Sequence, residues 1–216
     1  MSGNMVVNNN KAVSTFKVII AMIWRGIFGG VFISIAGWCY LSNPVVGMFL
    51  FCVGLIAVIK YKLGLFTGTV GLVPNFSEYL LSHFVLLGNI IGCATVGVFA
   101  MFSPEAIYMD AVSIIQLRLS IGWLHTLVLS VGCGVLMSFA VIFAKRDGGF
   151  SDWLPLLFAV PAFILCGFPH CVADAFYSTL YLLNTPDVEV GRFIAYYASI
   201  VAGNTIGCSL HKLFTK

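Results

Sequence analysis

The sequence predicts an all-α membrane protein with six transmembrane helices, built as an inverted 3+3 repeat in which helices 2 and 5 are broken. Three observations predict this fold. Of the 216 residues 60% are hydrophobic and 9% are charged, whereas a soluble domain carries about 25% charged residues. Six apolar stretches are long enough to cross a bilayer. One short motif recurs in both halves of the chain.

Composition also limits the class of partner. So few charged residues would leave apolar patches larger than soluble monomers tolerate, and the mean hydropathy is +1.03. The net charge is +3 and the longest basic run is the pair Lys145-Arg146, so we expect no nucleic-acid partner. The cysteines lie mostly in apolar stretches without CxxC spacing, so we expect no disulfide framework, metal site or cofactor. The lipid bilayer is the expected surrounding.

Six candidate spans lie between stretches rich in charged, Pro, Gly and Asn residues. Each crossing needs roughly 20 predominantly apolar residues. We expect residues 1–16 to form a polar N-terminal tail and residues 17–216 a single membrane domain with repeat halves at about 17–102 and 118–214. The predicted spans are residues 17–41, 45–73, 79–102, 121–144, 153–183 and 190–214.

The second and fifth spans are too long for a simple crossing, and each is interrupted. The interruptions are KYKLGLFTGT at 60–69 and CGFPH at 166–170. Non-helical backbone at membrane depth persists only where it is buried in protein or lines a wet cavity, and a matching pair of broken helices indicates a transport site. We expect half-helices to begin just after Thr67 and His170 and to direct their positive dipole ends and free N–H groups towards a pore.

The two halves share the hexamers GNIIGC at 88–93 and GNTIGC at 203–208. Each contains a Gly-xxx-Gly step, which lets helices approach closely in lipid. Three spans per half is an odd number, so the second half must insert inverted relative to the first. Basic residues favour cytoplasmic N- and C-termini, because the inner side then carries Lys11, Lys145, Arg146, Lys212 and Lys216 and the outer side only Arg118 and Arg192.

Five segments, taken in chain order, resemble the formate/nitrite transporter family. They are GVFISIA at 30–36, LFTGT at 65–69, GN at 88–89, GFPH at 167–170 and GNTIG at 203–207. The resemblance implies an aquaporin-like protomer, assembled as a homopentamer, with one path per protomer for formate, nitrite, hydrosulfide, lactate or related monoacids. It implies a channel or transporter, not an enzyme. Nothing marks an organelle, so a multi-pass protein of the bacterial cytoplasmic membrane is expected.

The resemblance also implies which residues line the path. Thr67 and His170 match the family's central threonine and histidine, and Arg118 matches the basic residue before the fourth span. Lys60 and Lys62 stand inside an apolar stretch and need a wet or paired setting, so they are vestibule charge candidates together with Asp174. The implied constrictions are Phe51 and Phe163 on the outer side and Leu55, Leu65, Phe66 and Met137 on the inner side.

Four positions depart from the family pattern. The acidic residue before the histidine is Pro169, and the acidic residue before Leu-Phe-Thr is Gly64. The family asparagines of the fourth span and after the histidine are Gly134 and Asp174. These departures leave the substrate open.

The chemistry of the central residues also leaves alternatives. An isolated anion in a dry pore costs tens of kcal/mol, so the path must supply electrostatic help or a proton. His170, with a reference pKa of ~6.5, either hands the anion a proton or polarises the site. Thr67 and His170 also have a simpler interpretation as packing residues, and Arg118 as a side chain that reaches the interface.

Two other functions compete with anion passage. A neutral-solute channel of the aquaporin type would carry two Asn-Pro-Ala-like boxes, and only Asn43-Pro44-Val45 comes close. An intramembrane enzyme would need more than the group His170, Cys171 and Asp174, which offers at most two inward-facing ligands.

Overall fold

The computed structural model of the chain describes the backbone of residues 2–146 and 148–214 and the side chains of residues 15–146 and 148–213. Within these ranges the chain is all helical and has no strand. Two 3₁₀ turns, Val70–Leu72 and Phe150–Trp153, complete the regular structure. The α-helices are α1 (Ser2–Ser42), α2 (Pro44–Lys60), α3 (Phe76–Ala100), α4 (Glu105–Ile121), α5 (Trp123–Ala144), α6 (Leu154–Leu165), α7 (Cys171–Asn184) and α8 (Val190–Phe214).

Within the described residues, four helices are long and apolar enough to cross a membrane. They are Thr15–Ser42 within α1, α3, α5 and Val190–Leu213 within α8, and they match the predicted first, third, fourth and sixth spans. The apolar helices Pro44–Lys60 and Phe150–Leu165 are shorter. The backbone of α1 begins at Ser2, so the predicted tail continues this helix. The side chains of residues 1–14 lie outside the described residues.

Helices α2 and α6 end in the same hydrogen-bonding pattern. Beyond α2, the N–H of Lys62 donates to Ile59 O at 3.1 Å and that of Leu63 to Val58 O at 2.8 Å. Beyond α6, the N–H of Gly167 donates to Ile164 O and that of Phe168 to Phe163 O, both at 3.0 Å. These paired bonds define Schellman motifs, which require a left-handed residue just past the helix. Lys62 (φ 54°) and Gly167 (φ 67°) are those residues.

The two interruptions lead into different structures. The half-helix expected after His170 is present as α7, but the one expected after Thr67 is absent. The chain there makes only the turn Val70–Leu72. Pro74 lacks a backbone N–H and disfavours helix at the preceding residue. Asn75 then starts α3, because its Oδ1 accepts from Glu78 N at 2.9 Å.

Helix α4 was not predicted, because the sequence analysis treated residues 103–120 as a connection. Pro104 precedes its first turn and Gly122 (φ 85°) follows its last residue. α4 packs against α7. This packing brings Arg118, in the last turn of α4, to the start of α7.

The hexamers place glycines at the tightest helix contacts, as their Gly-xxx-Gly steps predict. A Cβ on Gly88 of α3 would lie 2.9 Å from Gly26 Cα of α1, and a Cβ on Gly207 of α8 would lie 2.9 Å from Gly134 Cα of α5. A Cβ on Gly134 would also lie 2.8 Å from Cys208 N. An asparagine at Gly134 would therefore collide with α8, which accounts for glycine at this departure from the family pattern.

Candidate functional site

A buried asparagine holds the interruption that comes after α2. Asn89, on α3, has no exposed surface. Its Nδ2 donates to Gly26 O at 2.8 Å and to Gly64 O at 2.9 Å, and its Oδ1 accepts from Phe66 N at 3.0 Å. The side chain thereby supplies partners that a helix would otherwise supply, and buried backbone groups need such partners.

Asn204 of α8 does the same for the interruption that comes after α6. Its Nδ2 donates to Ser130 O at 2.9 Å and to Pro169 O at 3.0 Å, and its Oδ1 accepts from Cys171 N at 2.9 Å. Asn204 is also fully buried. This role of the two asparagines was not predicted, because the hexamers were interpreted only as helix-packing motifs. The sequence does contain a signal for this role. An asparagine recurs at the same place in two apolar spans, and a buried side-chain amide needs hydrogen-bond partners.

A cavity of about 380 Å³, the histidine cavity, opens beside the start of α7. His170 lies in its wall and is only 2% exposed. The rings of Phe51 and Phe163 meet edge to face at 5.9 Å, and the Phe163 ring stacks on the His170 imidazole at 5.7 Å. The residues predicted for the outer constriction and for the central histidine therefore form one aromatic cluster.

The hydrogen bonds of His170 determine which nitrogen carries the proton. His170 is the N-cap of α7, and its Nδ1 accepts the N–H of Ala173 at 3.0 Å. A neutral imidazole with Nδ1 as acceptor carries its proton on Nε2. His170 Nε2 is buried and has no hydrogen-bond partner among the described residues. The ring thus has one uncommitted donor.

Two of the backbone N–H groups that were expected to be free at the start of α7 already donate hydrogen bonds within the protein. The N–H of Ala173 bonds His170 Nδ1 and the N–H of Cys171 bonds Asn204 Oδ1. The imidazole Nε2–H is an uncommitted side-chain donor at this helix start.

Asp174, predicted as a vestibule charge, forms an ion pair with Arg118. The Asp174 side chain has no exposed surface and the Arg118 side chain is 17% exposed. Both residues line the histidine cavity. Lys60 and Lys62, the other predicted vestibule charges, line a different cavity and do not contact Asp174. The structure pairs it with Arg118 because α4, the unpredicted helix, carries that arginine to α7.

A second cavity of about 750 Å³, the basic cavity, lies at the end of α2. Its described lining contains no carboxylate. Lys60 stands over the Trp153 ring, with Nζ 4.5 Å from the ring centroid. The carbonyl of Lys62 accepts two hydrogen bonds from the Arg25 guanidinium. The cations in its lining are Arg25, Lys60, Lys62, Lys145 and Arg146.

The two cavities approach each other along α2. Phe51 lines the histidine cavity and Leu55 lines the basic cavity. Four residues of α-helix span about 6 Å, so about one turn of α2 separates the two cavities along this helix. Leu65 also lines the basic cavity. Phe66 and Met137 are buried but line neither cavity.

Thr67 is fully buried between the two halves and lines neither cavity. Its Oγ1 donates to Asn204 Oδ1 at 3.3 Å and lies 2.9 Å from Cys171 Sγ. The hydroxyl therefore joins the interruption after α2 to the start of α7.

Comparison with known families agrees with this geometry. The family model described as "Formate/nitrite transporter" matches residues 4–214. The chain belongs to the formate/nitrite transporter family. It is therefore a member of a family of membrane channels and transporters, not of enzymes. No curated protein sequence matches it.

Solved structures share the fold of this family member. A structure described as a "pentameric formate channel with formate bound" superposes with a TM-score of 0.76 at 20% identity, covering 92% of this chain and 96% of the other. A structure described as an "FNT family ion channel" superposes with a TM-score of 0.75 at 18% identity, covering 95% and 92%. At these identities the likeness establishes the fold.

Proposed function

We propose that the chain is a passage for small monovalent anions, such as formate, nitrite, hydrosulfide or related monoacids, across a lipid bilayer. The observation that carries the proposal is the pair of cavities separated by about one turn of α2, with the unpartnered His170 Nε2 in the wall of one of them. A solute that moves between the cavities must pass the aromatic cluster beside this donor.

We propose six crossings in an inverted 3+3 arrangement, like an aquaporin protomer. α1, α3, α5 and α8 supply four of them. α2 is one further crossing with its interruption, and α6, its interruption and α7 together are the other. The equivalent contacts of Asn89 and Asn204 support an internal repeat. With cytoplasmic termini in a bacterial cytoplasmic membrane, the basic cavity faces the cytoplasm, as the excess of lysine and arginine favours.

We propose a homopentamer, because the solved formate channel with this fold is described as pentameric and 96% of its chain is covered. A large apolar surface needs lipid or neighbouring protomers to cover it. Exposed apolar side chains on several helices make up this surface, among them Trp24, Phe49, Val53, Phe99, Val128 and Phe158.

His170 acts in this proposal as a hydrogen-bond donor to the solute. To hand its Nε2 proton to an anion without becoming an imidazolate, the ring must take up a proton on Nδ1. The Ala173 N–H occupies Nδ1, so proton coupling through His170 requires this helix cap to open, at a cost of about 1 kcal/mol.

The test is uptake of formate, nitrite, hydrosulfide, lactate and glycerol into proteoliposomes at two pH values. We compare the wild type with His170→Asn, which keeps an N-capping side chain but removes the ring donor, and with His170→Ala, which removes both. Loss of one hydrogen bond to a charged solute lowers flux about tenfold or more, so we expect both variants to be slow and only His170→Ala to unfold earlier.

The matched control is His125→Asn, since His125 is an exposed histidine that lines neither cavity. It should leave uptake unchanged. Unimpaired formate uptake by His170→Asn would refute the role of His170. If the folded wild type passes glycerol but no anion, the neutral-solute function replaces the anion function.

A further inference from the structure

The Arg118–Asp174 ion pair sets the charge of the histidine cavity. Arg118 comes from α4 and Asp174 from the first turn of α7. They are the only residues in the described lining of this cavity that carry a full charge at neutral pH. The other titratable side chains around the pair are Tyr40, Cys166, His170, Tyr177 and Tyr196, and none of them is a carboxylate, a lysine or an arginine.

The pair leaves the cavity with a net charge of zero. An arginine that collects anions must present an uncompensated charge, which raises the local anion concentration. Here the guanidinium contacts a carboxylate that is fully buried. The basic cavity differs in net charge, because its described lining contains five cations and no carboxylate.

The histidine cavity offers at least one unpartnered donor and one unpartnered acceptor. His170 Nε2 is an unpartnered donor, and Asp174 Oδ2 is buried without a hydrogen-bond partner. The two residues are four apart at the start of α7, so they lie on the same face of the helix. An undissociated acid has both an O–H and a C=O to offer this pair. An anion has acceptors only, and the carboxylate repels it.

We propose that Asp174 is a specificity-determining residue that cancels the charge of Arg118, so that the histidine cavity accepts the uncharged form of a small acid in preference to its anion. This inference rests on the proposed function, because it concerns the solute that enters the same path. Under this inference, only the basic cavity attracts anions.

The experiment compares two solutes of the same size and shape that differ in charge, formate and formamide. Their sub-saturating permeabilities are measured at pH 7 in proteoliposomes, with the rate of protein-free vesicles subtracted. In the wild type we expect formate permeability to be no higher than that of formamide. Asp174→Asn releases the Arg118 charge, so the formate-to-formamide ratio should rise about tenfold.

Two variants keep the net charge of the cavity at zero. Asp174→Glu retains the carboxylate, and Arg118→Gln combined with Asp174→Asn removes both charges. Both should keep the wild-type ratio to within about threefold, since the net charge stays at zero and an acceptor oxygen remains at position 174. A rise in the double variant as large as in Asp174→Asn would overturn the proposal, and so would an unchanged ratio in Asp174→Asn.

The wild-type ratio tests the proposal even if Asp174→Asn does not assemble, because loss of one partner of a buried pair is strongly destabilising. A wild type that admits formate faster than formamide overturns the inference and leaves anion passage intact. A folded wild type that passes neither solute refutes the proposed function itself.

Discussion

The two halves of the molecule hold their interruptions with the same contacts but place different chemistry there. Asn89 and Asn204 each bond two carbonyls and one N–H across an interruption. The helices α2 and α6 both end in Schellman motifs. The left-handed residue of the motif is Lys62 in the first half and Gly167 in the second.

The segments beyond the interruptions complete the difference. The first half continues into a three-residue turn, and the cavity beside it is lined by cations from both halves. The second half continues into α7, capped by His170, and has a neutralised ion pair in its cavity. The comparison indicates that the backbone support is common to both halves, whereas the charge and the hydrogen-bonding groups are specific to each.

The largest expected effect comes from removing the shared support. Asn89→Ala leaves two carbonyls and one N–H without their partner, and Asn204→Ala also frees the Thr67 hydroxyl. Each unsatisfied buried group costs about 1–3 kcal/mol, so we expect both variants to lose about 3–5 kcal/mol, Asn204→Ala more than Asn89→Ala. The measurement is the thermal unfolding midpoint of the protein in detergent.

Asn184→Ala is the matched control. Asn184 is half-buried, and its backbone hydrogen bond goes to Leu180 O within its own helix, so its loss should cost less than about 1 kcal/mol. If Asn89→Ala and Asn204→Ala unfold no earlier than Asn184→Ala, the amides do not support the interruptions.

The next effect tests the charge difference between the cavities. Changing Lys60 and Lys62 together to glutamine removes two charges from the basic cavity, and formate uptake at low ionic strength should fall about tenfold. At about 1 M salt the Debye length shrinks to roughly 3 Å, so the difference from wild type should nearly vanish. Uptake is measured in proteoliposomes at both salt concentrations.

The control for this variant changes Lys17 and Arg192 to glutamine. It removes the same charge from the protein, and neither side chain lines the basic cavity or the histidine cavity. Uptake should stay near the wild-type rate. An equal loss in both double variants would mean that total charge matters and that the basic cavity has no special role.

Much of this fold is predictable from the sequence because it depends on local composition. Long apolar stretches predict α1, α3, α5 and α8, and the hexamers predict the close contacts of α3 and α8 with their partners. Composition does not predict α4 in the same way. Its 17 residues include the charged residues Glu105, Asp110 and Arg118, so they do not form an apolar stretch long enough for a transmembrane span.

The candidate site is less predictable because its decisive contacts join distant parts of the chain. The Arg118–Asp174 pair depends on α4 packing against α7. Thr67 was expected in the solute path, and only the fold places its hydroxyl between Asn204 and Cys171. Sequence reasoning names the residue types that carry chemistry, whereas their partners depend on tertiary packing.

The smallest expected effect concerns the residue at which the two Schellman motifs differ. Lys62 has φ 54°, and a left-handed conformation costs a non-glycine residue about 1–2 kcal/mol. The two hydrogen bonds from Arg25 to its carbonyl hold it there. Lys62→Gly should therefore raise the thermal midpoint by about 2–8 °C, while the loss of one cation lowers formate uptake at low salt about threefold.

Lys62→Gln separates these two consequences, because it removes the charge but keeps a side chain at the left-handed position. We expect it to match Lys62→Gly in uptake and the wild type in thermal midpoint. A lower midpoint for Lys62→Gly would mean that the lysine side chain stabilises the end of α2 by more than its backbone strain costs. The expected outcome means instead that the first half gives up stability to place a cation where the second half uses glycine.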